Sequence, residues 1–248
     1  MTNAYEGSTA LVTGATAGIG RAIALELARE GAEVIVHGRN AERGAKTVND
    51  IENAGGKARF IAADLSNTDD VRRLAAEAGQ VDVLVNNAGV YKFAPTFETD
   101  DADFDFHFDT NVRAPYILVQ RLVPGMVDRG HGSVVNISTI AASTPAAGAG
   151  IYGASKAAVD LLTKLWADEF GVSGVRVNAV APGPVETDGT ADLGELIEGL
   201  GRTTALQRLG EPDEIARAVA FVASPAASYV NGAVLQVGGG APAIRPAA

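Results

Sequence analysis

Residues 10–30 read ALVTGATAGIGRAIALELARE, in which a short apolar run gives way to glycines and then to an amphipathic stretch. The run Ala10–Thr13 is typical of a buried strand, and the pattern Ile19–Glu30 is typical of a helix that buries one face. The glycines between them allow a tight turn in which backbone N–H groups and the positive end of the helix dipole face an anion. We predict a phosphate-binding turn; the alternative is a turn packed without ligand, since the glycine spacing differs from the common dinucleotide fingerprint. The residues expected at this site are Gly14, Thr16, Gly18 and Ile19.

Short β-branched runs alternate with longer amphipathic stretches along the rest of the chain. Several runs are apolar on both sides of the pleat, which indicates helices on both faces of a parallel sheet. Repeated strand–helix–strand units imply right-handed crossovers. We predict a doubly wound, Rossmann-type α/β fold with a seven-stranded parallel sheet, formed by one domain over residues 1–248, with a mobile lid at Pro184–Arg202. The predicted strands are Ala10–Thr13, Val34–His37, Arg59–Ala62, Val83–Asn86, Val134–Ser138, Arg176–Ala181 and Val234–Val237, and the predicted helices are Ile19–Glu30, Ala41–Ala54, Asp69–Ala78, Tyr116–Asp128, Tyr152–Phe170 and Pro212–Ala223.

Composition narrows the classes of function. The chain has 248 residues, a net charge of −10 and no cysteine, so we expect no nucleic-acid partner, no disulfide and no thiolate chemistry. Apolar runs are shorter than the roughly 20 residues that cross a bilayer, and Met1–Tyr5 does not read as a signal peptide. We therefore expect no membrane partner and a cytoplasmic location.

The end of the second predicted strand bears on the choice of nucleotide. It reads Val36-His37-Gly38-Arg39, with no acidic residue to accept hydrogen bonds from ribose hydroxyls. Arg39 can instead pair with a 2′-phosphate, for which Gly38 leaves room. This favours NADP(H) and leaves NAD(H) possible; the alternative is that Arg39 is simply solvated.

Tyr152 and Lys156 are four residues apart at the start of a predicted helix, so their side chains share one face. A phenol titrates near pH ~10, and a neighbouring ammonium lowers that value. We therefore expect Tyr152 to act as a general acid or base.

Four motifs occur in order, each at the carboxyl end of a predicted strand or on the helix that follows: Thr13–Gly20, Asn86–Gly89, Tyr152–Lys156 and Pro182-Gly183. Together they resemble the short-chain dehydrogenase/reductase family, including its 3-oxoacyl reductases, over nearly the full chain. The resemblance implies hydride transfer between a nicotinamide dinucleotide and a carbonyl or secondary alcohol. The first alternative is a nucleotide-binding module with little catalysis; an epimerase or dehydratase fits poorly, because no C-terminal substrate domain follows.

Within this resemblance the catalytic set is Asn111, a hydroxyl, Tyr152 and Lys156. The family's serine lies 13 residues before the tyrosine, where this chain has Thr139, and Ser138 is the alternative. Lys156 would bind the nicotinamide ribose, and Asn111 would hold a water that passes protons to solvent. The remaining implied cofactor contacts are Asp64, Leu65, Asn87, Gly89, Gly183, Val185 and Thr187, although Asp64 as a helix cap and Thr187 as an ordinary loop hydroxyl are alternatives.

Other features receive plainer interpretations. Acidic residues surround His107, but we expect a solvated helix face with Phe104 and Phe108 as its buried stripe, and no metal. His37 and His131 are expected at the surface. Surplus apolar residues on the Tyr152 helix suggest self-association, and the resemblance implies a homotetramer, with a dimer as the alternative. The substrate pocket is expected between Ile140–Ile151 and the lid, lined by small or apolar residues.

Overall fold

Seven parallel strands form the centre of the molecule in a computed structural model that describes residues 3–187, 189 and 194–240. They are β1 Thr9–Val12, β2 Glu33–Gly38, β3 Lys57–Ala62, β4 Val83–Asn86, β5 Gly132–Ile137, β6 Val175–Pro182 and β7 Val234–Val237. The sheet order is β3-β2-β1-β4-β5-β6-β7, and every neighbouring pair is parallel. The predicted fold class is confirmed.

Eight helices surround the sheet within the described part of the chain. They are α1 Gly18–Arg29, α2 Ala41–Asn53, α3 Thr68–Ala78, α4 Asp101–Phe108, α5 Ala114–Arg129, α6 Gly150–Gly171, α7 Glu195–Thr203 and α8 Pro212–Ala223. A wide π turn, Asp109–Arg113, joins α4 to α5. No helix among these residues has both the length and the apolar character to cross a bilayer.

Each face of the sheet has its own core, because successive strand residues point in opposite directions. Val34 and Val36 pack with α1 and α8, whereas Ile35 between them packs with α3, α5 and α6. Trp166 of α6 belongs to this second core and is buried. Burial on both faces explains why the β2 sequence is continuously apolar rather than alternating.

The strand order reverses beside β1, which lies between β2 and β4. The loops that follow β1 and β4 therefore lead to helices on opposite faces and leave a crevice at the carboxyl edge, where doubly wound sheets bind ligands. The predicted lid, Pro184–Arg202, begins at this edge and includes part of α7. Residues 188 and 190–193 of that segment lie outside the described residues, and its mobility stays a prediction.

One local prediction is wrong. Phe104 was expected in a buried stripe, but its side chain is 44% exposed and stacks on Phe108 with ring centroids 4.7 Å apart. The buried residue of α4 is His107. His107 points inward because its ring hydrogen-bonds two backbone groups, the Asp103 carbonyl of the same helix and the Lys92 N–H of the loop after β4.

Candidate active site

The turn after β1 is tied to the loop after β4 by hydrogen bonds. Thr13 Oγ1 accepts from the N–H groups of Asn87 and Ala88 at 2.9 and 3.0 Å, and Asn87 Nδ2 donates to the Thr13 carbonyl at 2.8 Å. Gly14 has φ +65°, and a Cβ there would lie 3.0 Å from Ala88 Cα. A Cβ on Gly20 would lie 2.2 Å from the Gly14 carbonyl oxygen. The glycines therefore serve this close contact between two loops.

Helix α1 begins in the same turn without a side-chain cap. Its N-cap is Ala17, which offers no acceptor to the first N–H groups of the helix. Unpaired N–H groups and the helix dipole make such an end a site for phosphate. Thr187 lies across from it, with its Cβ and Cγ2 atoms 3.4 Å from the position of a Cβ on Gly18.

A cavity of about 250 Å³ extends from this turn along the carboxyl edge. Its walls come from the segments that follow β1, β2, β3 and β4 and from the region of α4 and the π turn. Thr110 lines it, and the buried Thr110 hydroxyl has no hydrogen-bond partner among the described residues. The lining residues are Gly14, Thr16, His37, Gly38, Arg39, Arg43, Ala63, Asp64, Leu65, Asn87, Ala88, Gly89, Val90, Phe106 and Thr110.

These observations fit a dinucleotide. The cradle has a helix N-terminus for a phosphate, backbone without side chains at Gly14 and Gly89, and an unsatisfied buried hydroxyl in its wall. A larger cavity of about 480 Å³ opens at the opposite, amino edge of the sheet, beside Thr9, Glu33 and Lys57. It contains none of the predicted site residues, so we do not assign it to the chemistry.

Two arginines flank the cradle where β2 leads into α2. Asn40 caps α2 by accepting from the Arg43 N–H at 2.9 Å, which places Arg39 and Arg43 on either side of the cap. Both line the cavity, and no salt bridge joins either guanidinium to a carboxylate among the described residues. Sequence reasoning found Arg39 and missed Arg43, although its position four residues later, just inside a helix, was a usable signal.

The role expected of Gly38 is wrong. A Cβ on Gly38 would lie 2.4 Å from Thr16 Cγ2, so the space at this glycine is filled by a side chain of the turn after β1. The absence of a side chain at Gly38 therefore admits Thr16 and does not by itself create room for a phosphate.

His37 was expected at the surface, and this is also wrong. The ring is 2% exposed. Its Nδ1 accepts from the Gly14 N–H at 3.2 Å, which leaves Nε2–H to donate to the Ala63 carbonyl at 3.2 Å. Burial lowers the pKa of His37 to about 4, so the ring is neutral at neutral pH. His131 is exposed, as expected.

Lys156 reaches the same crevice from α6. Its side chain is buried, Nζ donates to the Ile137 carbonyl at 2.8 Å, and a Cβ on Gly89 would lie 3.1 Å from Nζ. Burial lowers the pKa of Lys156 to about 8, against the opposing charge of Asp160. The amine therefore lies beside Gly89, which lines the cavity.

The buried amide of Asn111 lies in the π turn and holds the loop after β4. Asn111 Oδ1 accepts from the Val90 N–H at 2.8 Å, and Nδ2 donates to the Val90 carbonyl and to Ser155 Oγ, both at 3.0 Å. These three hydrogen bonds occupy the side-chain amide. The water expected at Asn111 would therefore have to bind a main-chain group of this residue. Single-turn π segments often occur at functional sites.

Tyr152 lies beside Tyr91 and Phe93 and interacts with Thr139. Burial raises the pKa of the phenol, an effect that Thr139 opposes by hydrogen bonding and that Tyr91 reinforces. The expectation that Lys156 lowers this pKa is wrong for the described structure, because the ammonium is bonded to the Ile137 carbonyl and contributes no shift at the phenol. Tyr152 is therefore a neutral phenol at neutral pH.

Of the two candidate hydroxyls, that of Thr139 is the one that interacts with the Tyr152 phenol. Ser138 is buried and lies near Asp160, one turn beyond Lys156 on α6, and its Oγ has no hydrogen-bond partner of ordinary length among the described residues. Burial raises the pKa of Asp160, and the interaction with Ser138 opposes this. The two neighbouring hydroxyls thus point to different places, as expected for consecutive residues at the end of a strand.

The remaining predicted contacts lie around the same crevice. Asp64 Oδ1 accepts from the Ser66 N–H and hydroxyl at 3.0 and 2.8 Å, and Asn67 rather than Asp64 caps α3. Gly183 donates to the Val237 carbonyl at 3.0 Å, and a Cβ there would lie 2.6 Å from Gly238 Cα. The absence of a side chain at Gly183 therefore permits close packing against the backbone of Gly238. Val185 is buried and bridges Gly210.

His107 is a positioning residue that sequence reasoning missed. Its Nδ1–H donates to the Asp103 carbonyl at 2.7 Å, and Nε2 accepts from the Lys92 N–H at 3.0 Å. Both ring nitrogens are therefore used by backbone groups. The i, i+4 relation to Asp103 was visible in the sequence, but the contact with Lys92 is long-range.

We predict that His37 links stability to pH. The folded-state pKa of about 4 lies below the ordinary 6.5, so an unfolded chain binds a proton that the native chain does not. The free energy of unfolding should therefore fall as the pH drops from about 6.5 towards 4, by up to about 1.4 kcal/mol per unit. Urea unfolding of the wild type and of His37→Gln across this range checks it, because glutamine does not titrate.

His37→Leu serves as the second comparison. It leaves the Gly14 N–H and the Ala63 carbonyl unpaired, which should cost about 1–3 kcal/mol at neutral pH. Parallel pH dependences of the wild type and His37→Gln would contradict the assignment.

Comparisons with known proteins agree with this geometry. The family model described as enoyl-(acyl carrier protein) reductase matches residues 14–242. Gluconate 5-dehydrogenase of Gluconobacter oxydans is 38% identical and aligns over 94% of each chain. A solved short chain dehydrogenase/reductase family protein is 51% identical with a TM-score of 0.91, over 97% of this chain and 98% of that one.

A crystal structure of 3-oxoacyl (acyl-carrier-protein) reductase from Agrobacterium tumefaciens with NADP bound has a TM-score of 0.92 and 35% identity, over 96% of both chains. Sequence, fold and the placement of the four motifs therefore lead to one assignment. The chain belongs to the short-chain dehydrogenase/reductase family.

Proposed function

We propose that this chain is an NADP(H)-dependent oxidoreductase that interconverts a carbonyl and a secondary alcohol, with Tyr152 as the general acid or base. The observation that carries the proposal is that Lys156 on α6 lies next to the cavity lined by Gly14 and Gly89. Lys156 Nζ lies 3.1 Å from the position of a Cβ on Gly89, and Gly89 lines the same cavity as Gly14. A proton-transfer centre thus adjoins a cradle suited to a dinucleotide.

The residues that would hold the cofactor come from each loop at the crevice. The turn after β1 and the N-terminus of α1 suit the pyrophosphate. When bound, a nicotinamide cofactor supplies or accepts hydride. The residues proposed to contact it are Gly14, Thr16, Gly18, Ile19, Arg39, Arg43, Asp64, Leu65, Asn87, Gly89, Tyr152, Lys156, Gly183, Val185 and Thr187.

Tyr152 would move the proton. A phenol with a raised pKa is protonated at neutral pH and can donate to the oxygen of a carbonyl under reduction. Thr139, which interacts with the phenol, would donate a second hydrogen bond to the same oxygen. Oxidation requires the phenolate, so the raised pKa favours reduction at neutral pH.

Lys156 and Asn111 would keep this centre in place. With a pKa of about 8, Lys156 is largely an ammonium at neutral pH and can bind ribose hydroxyls beside Gly89. Asn111 makes two hydrogen bonds to Val90 and one to Ser155, and would act as a positioning residue. Because Thr139 retains a hydroxyl beside Tyr152, catalysis is favoured over a binding module without turnover.

The choice of NADP(H) over NAD(H) rests on charge. Arg39 and Arg43 have no salt bridge among the described residues and flank the cavity near the end of β2. The reductase from Agrobacterium tumefaciens was crystallised with NADP. Two guanidinium groups at this place suit a 2′-phosphate.

We further propose that the chain works as one domain in a cytoplasmic homotetramer, with a dimer as the alternative. Leu161 and Leu165 on α6 are 69% and 46% exposed, and Tyr116 on the adjacent α5 is half-exposed. The Tyr116 and Trp166 rings lie 5.8 Å apart, which brings α5 and α6 together here, and each of these helices carries exposed apolar side chains. Such a face suits contact with a second copy.

The proposal is tested first at Tyr152. We expect Tyr152→Phe to reduce kcat by about 10²–10⁴-fold, because the proton donor is lost while the ring remains. Thr139→Val should also reduce kcat, whereas Thr139→Ser and Ser138→Ala should retain most of it. The measurement is NADPH oxidation with a panel of carbonyl compounds.

Binding and folding are the controls for these variants. NADPH affinity and thermal unfolding should stay close to the wild type in Tyr152→Phe, because the aromatic ring and its packing remain and the other proposed cofactor contacts are unchanged. Undiminished turnover in Tyr152→Phe would rule out the proposed mechanism, and a loss in Ser138→Ala without one in Thr139→Val would reassign the hydroxyl.

The arginines are tested by cofactor affinity. We expect Arg39→Ala and Arg43→Ala each to weaken NADPH binding about 10-fold, because a charge-assisted contact to phosphate is worth about 1.5–3 kcal/mol. NADH binding should change little. Titration of each nucleotide by protein fluorescence measures both.

Arg72→Ala is the matched control, because Arg72 is an exposed arginine on α3 paired with Asp69 at 2.9 Å. It should leave both affinities unchanged. Equal binding of NADH and NADPH by the wild type would remove the role given to Arg39 and Arg43.

A further inference from the structure

Two exposed aromatic rings stand beside Tyr152. Tyr91 and Phe93 are 42% and 49% exposed, and their ring centroids lie 6.2 and 6.1 Å from that of Tyr152. Both contacts are edge-to-face, at 67° and 85°. We call Tyr91 and Phe93 the aromatic wall.

Hydrogen bonds fix the backbone on both sides of the aromatic wall. Asn111 holds Val90, His107 accepts from the Lys92 N–H, and the Ala94 N–H donates to the Gly148 carbonyl at 2.9 Å. The Tyr91 hydroxyl donates to the Gly189 carbonyl at 2.5 Å, which links the wall to the lid segment. Exposed aromatic rings on a backbone held this firmly offer a pre-formed apolar surface, which lowers the cost of binding.

The charge around the aromatic wall is unfavourable to anions. Lys92, the cation between the two rings in sequence, pairs with Asp103 at 2.5 Å. The sequence of the two segments expected to line the pocket, 140–151 and 184–202, contains one cation, Arg202, and its guanidinium pairs with Glu198 at 3.7 Å. Helix α4, which supplies Asp103, also exposes Asp101 and Asp105. A carboxylate or phosphate near Tyr152 would therefore find a negative neighbourhood and no unpaired cation among these groups.

We infer that the substrate is an uncharged carbonyl compound with an aromatic ring next to the carbonyl carbon. The ring would pack against Tyr91 and Phe93 while the carbonyl oxygen faces Tyr152 and Thr139. This rests on the proposed function and deepens it. The substrate inferred here is uncharged, whereas the gluconate in the name of one relative carries a carboxylate.

Three carbonyl compounds, used as test substrates, separate the effect of an aromatic ring from the effect of a negative charge. Methyl benzoylformate has a ring and no charge, benzoylformate has the same ring and a carboxylate, and methyl pyruvate has neither ring nor charge. With the full chain and NADPH, we expect kcat/KM for methyl benzoylformate to exceed each of the others by at least about 10-fold.

The variants Phe93→Leu and Phe97→Leu form a matched pair. Phe93→Leu keeps an apolar side chain but loses the ring, and should reduce the preference for methyl benzoylformate over methyl pyruvate by about 10-fold. Phe97 lies four residues later and is 86% exposed, outside the aromatic wall. Phe97→Leu should leave the preference unchanged.

Every outcome has a defined meaning when binding to the NADPH complex is measured by calorimetry alongside turnover. Equal or better use of benzoylformate or methyl pyruvate, or equal effects of the two leucine variants, would overturn the inference and leave the proposed function standing. Binding of methyl benzoylformate, weakened by Phe93→Leu, without NADPH oxidation would support the aromatic wall and contradict the proposed function. Neither binding nor turnover would overturn both.

Discussion

The hydrogen bonds from Asn87 and Ala88 to Thr13 hold together the two loops that meet where the strand order reverses. Parallel strands leave backbone groups unpaired at their carboxyl ends, and here the two loops satisfy one another. The close approach requires glycine at position 14, where a Cβ would meet Ala88. The same requirement leaves bare backbone and an uncapped helix end beside the cavity. The glycine that the packing of the two loops requires therefore also leaves the open backbone proposed to bind a phosphate.

The rest of the site continues along the same loop after β4. Gly89 approaches Lys156, Val90 is held by Asn111, and Lys92 is held by His107. Between these fixed points Tyr91 and Phe93 turn their rings towards Tyr152. One segment of seven residues, 87–93, thus contacts the turn proposed to bind a phosphate, the Lys156 amine and the phenol proposed to transfer a proton. Rigid placement of such groups is what makes proton transfer and orientation efficient.

The fold could be predicted from the sequence because it depends on local patterns of apolar periodicity. The four motifs could be recognised for the same reason, since each consists of glycine turns or of side chains one helical turn apart. It could not predict contacts between distant segments. His37 was placed at the surface because nothing near it in sequence shows that Gly14 and Ala63 need its two nitrogens. The pKa of Tyr152 was predicted in the wrong direction, because the spacing to Lys156 does not show that the ammonium is bonded to the Ile137 carbonyl. The choice between Thr139 and Ser138 likewise needed the direction in which each strand-end hydroxyl points.

The central claim is that a carbonyl held over Tyr152 receives hydride directly from a cofactor in one fixed orientation. Mass spectrometry of the alcohol formed from methyl benzoylformate tests it, with NADPH carrying deuterium at one or the other C4 position of the nicotinamide. The account predicts deuterium on the carbinol carbon from one labelled NADPH and none from the other. Product without deuterium from either, or label from both in equal amounts, would contradict it.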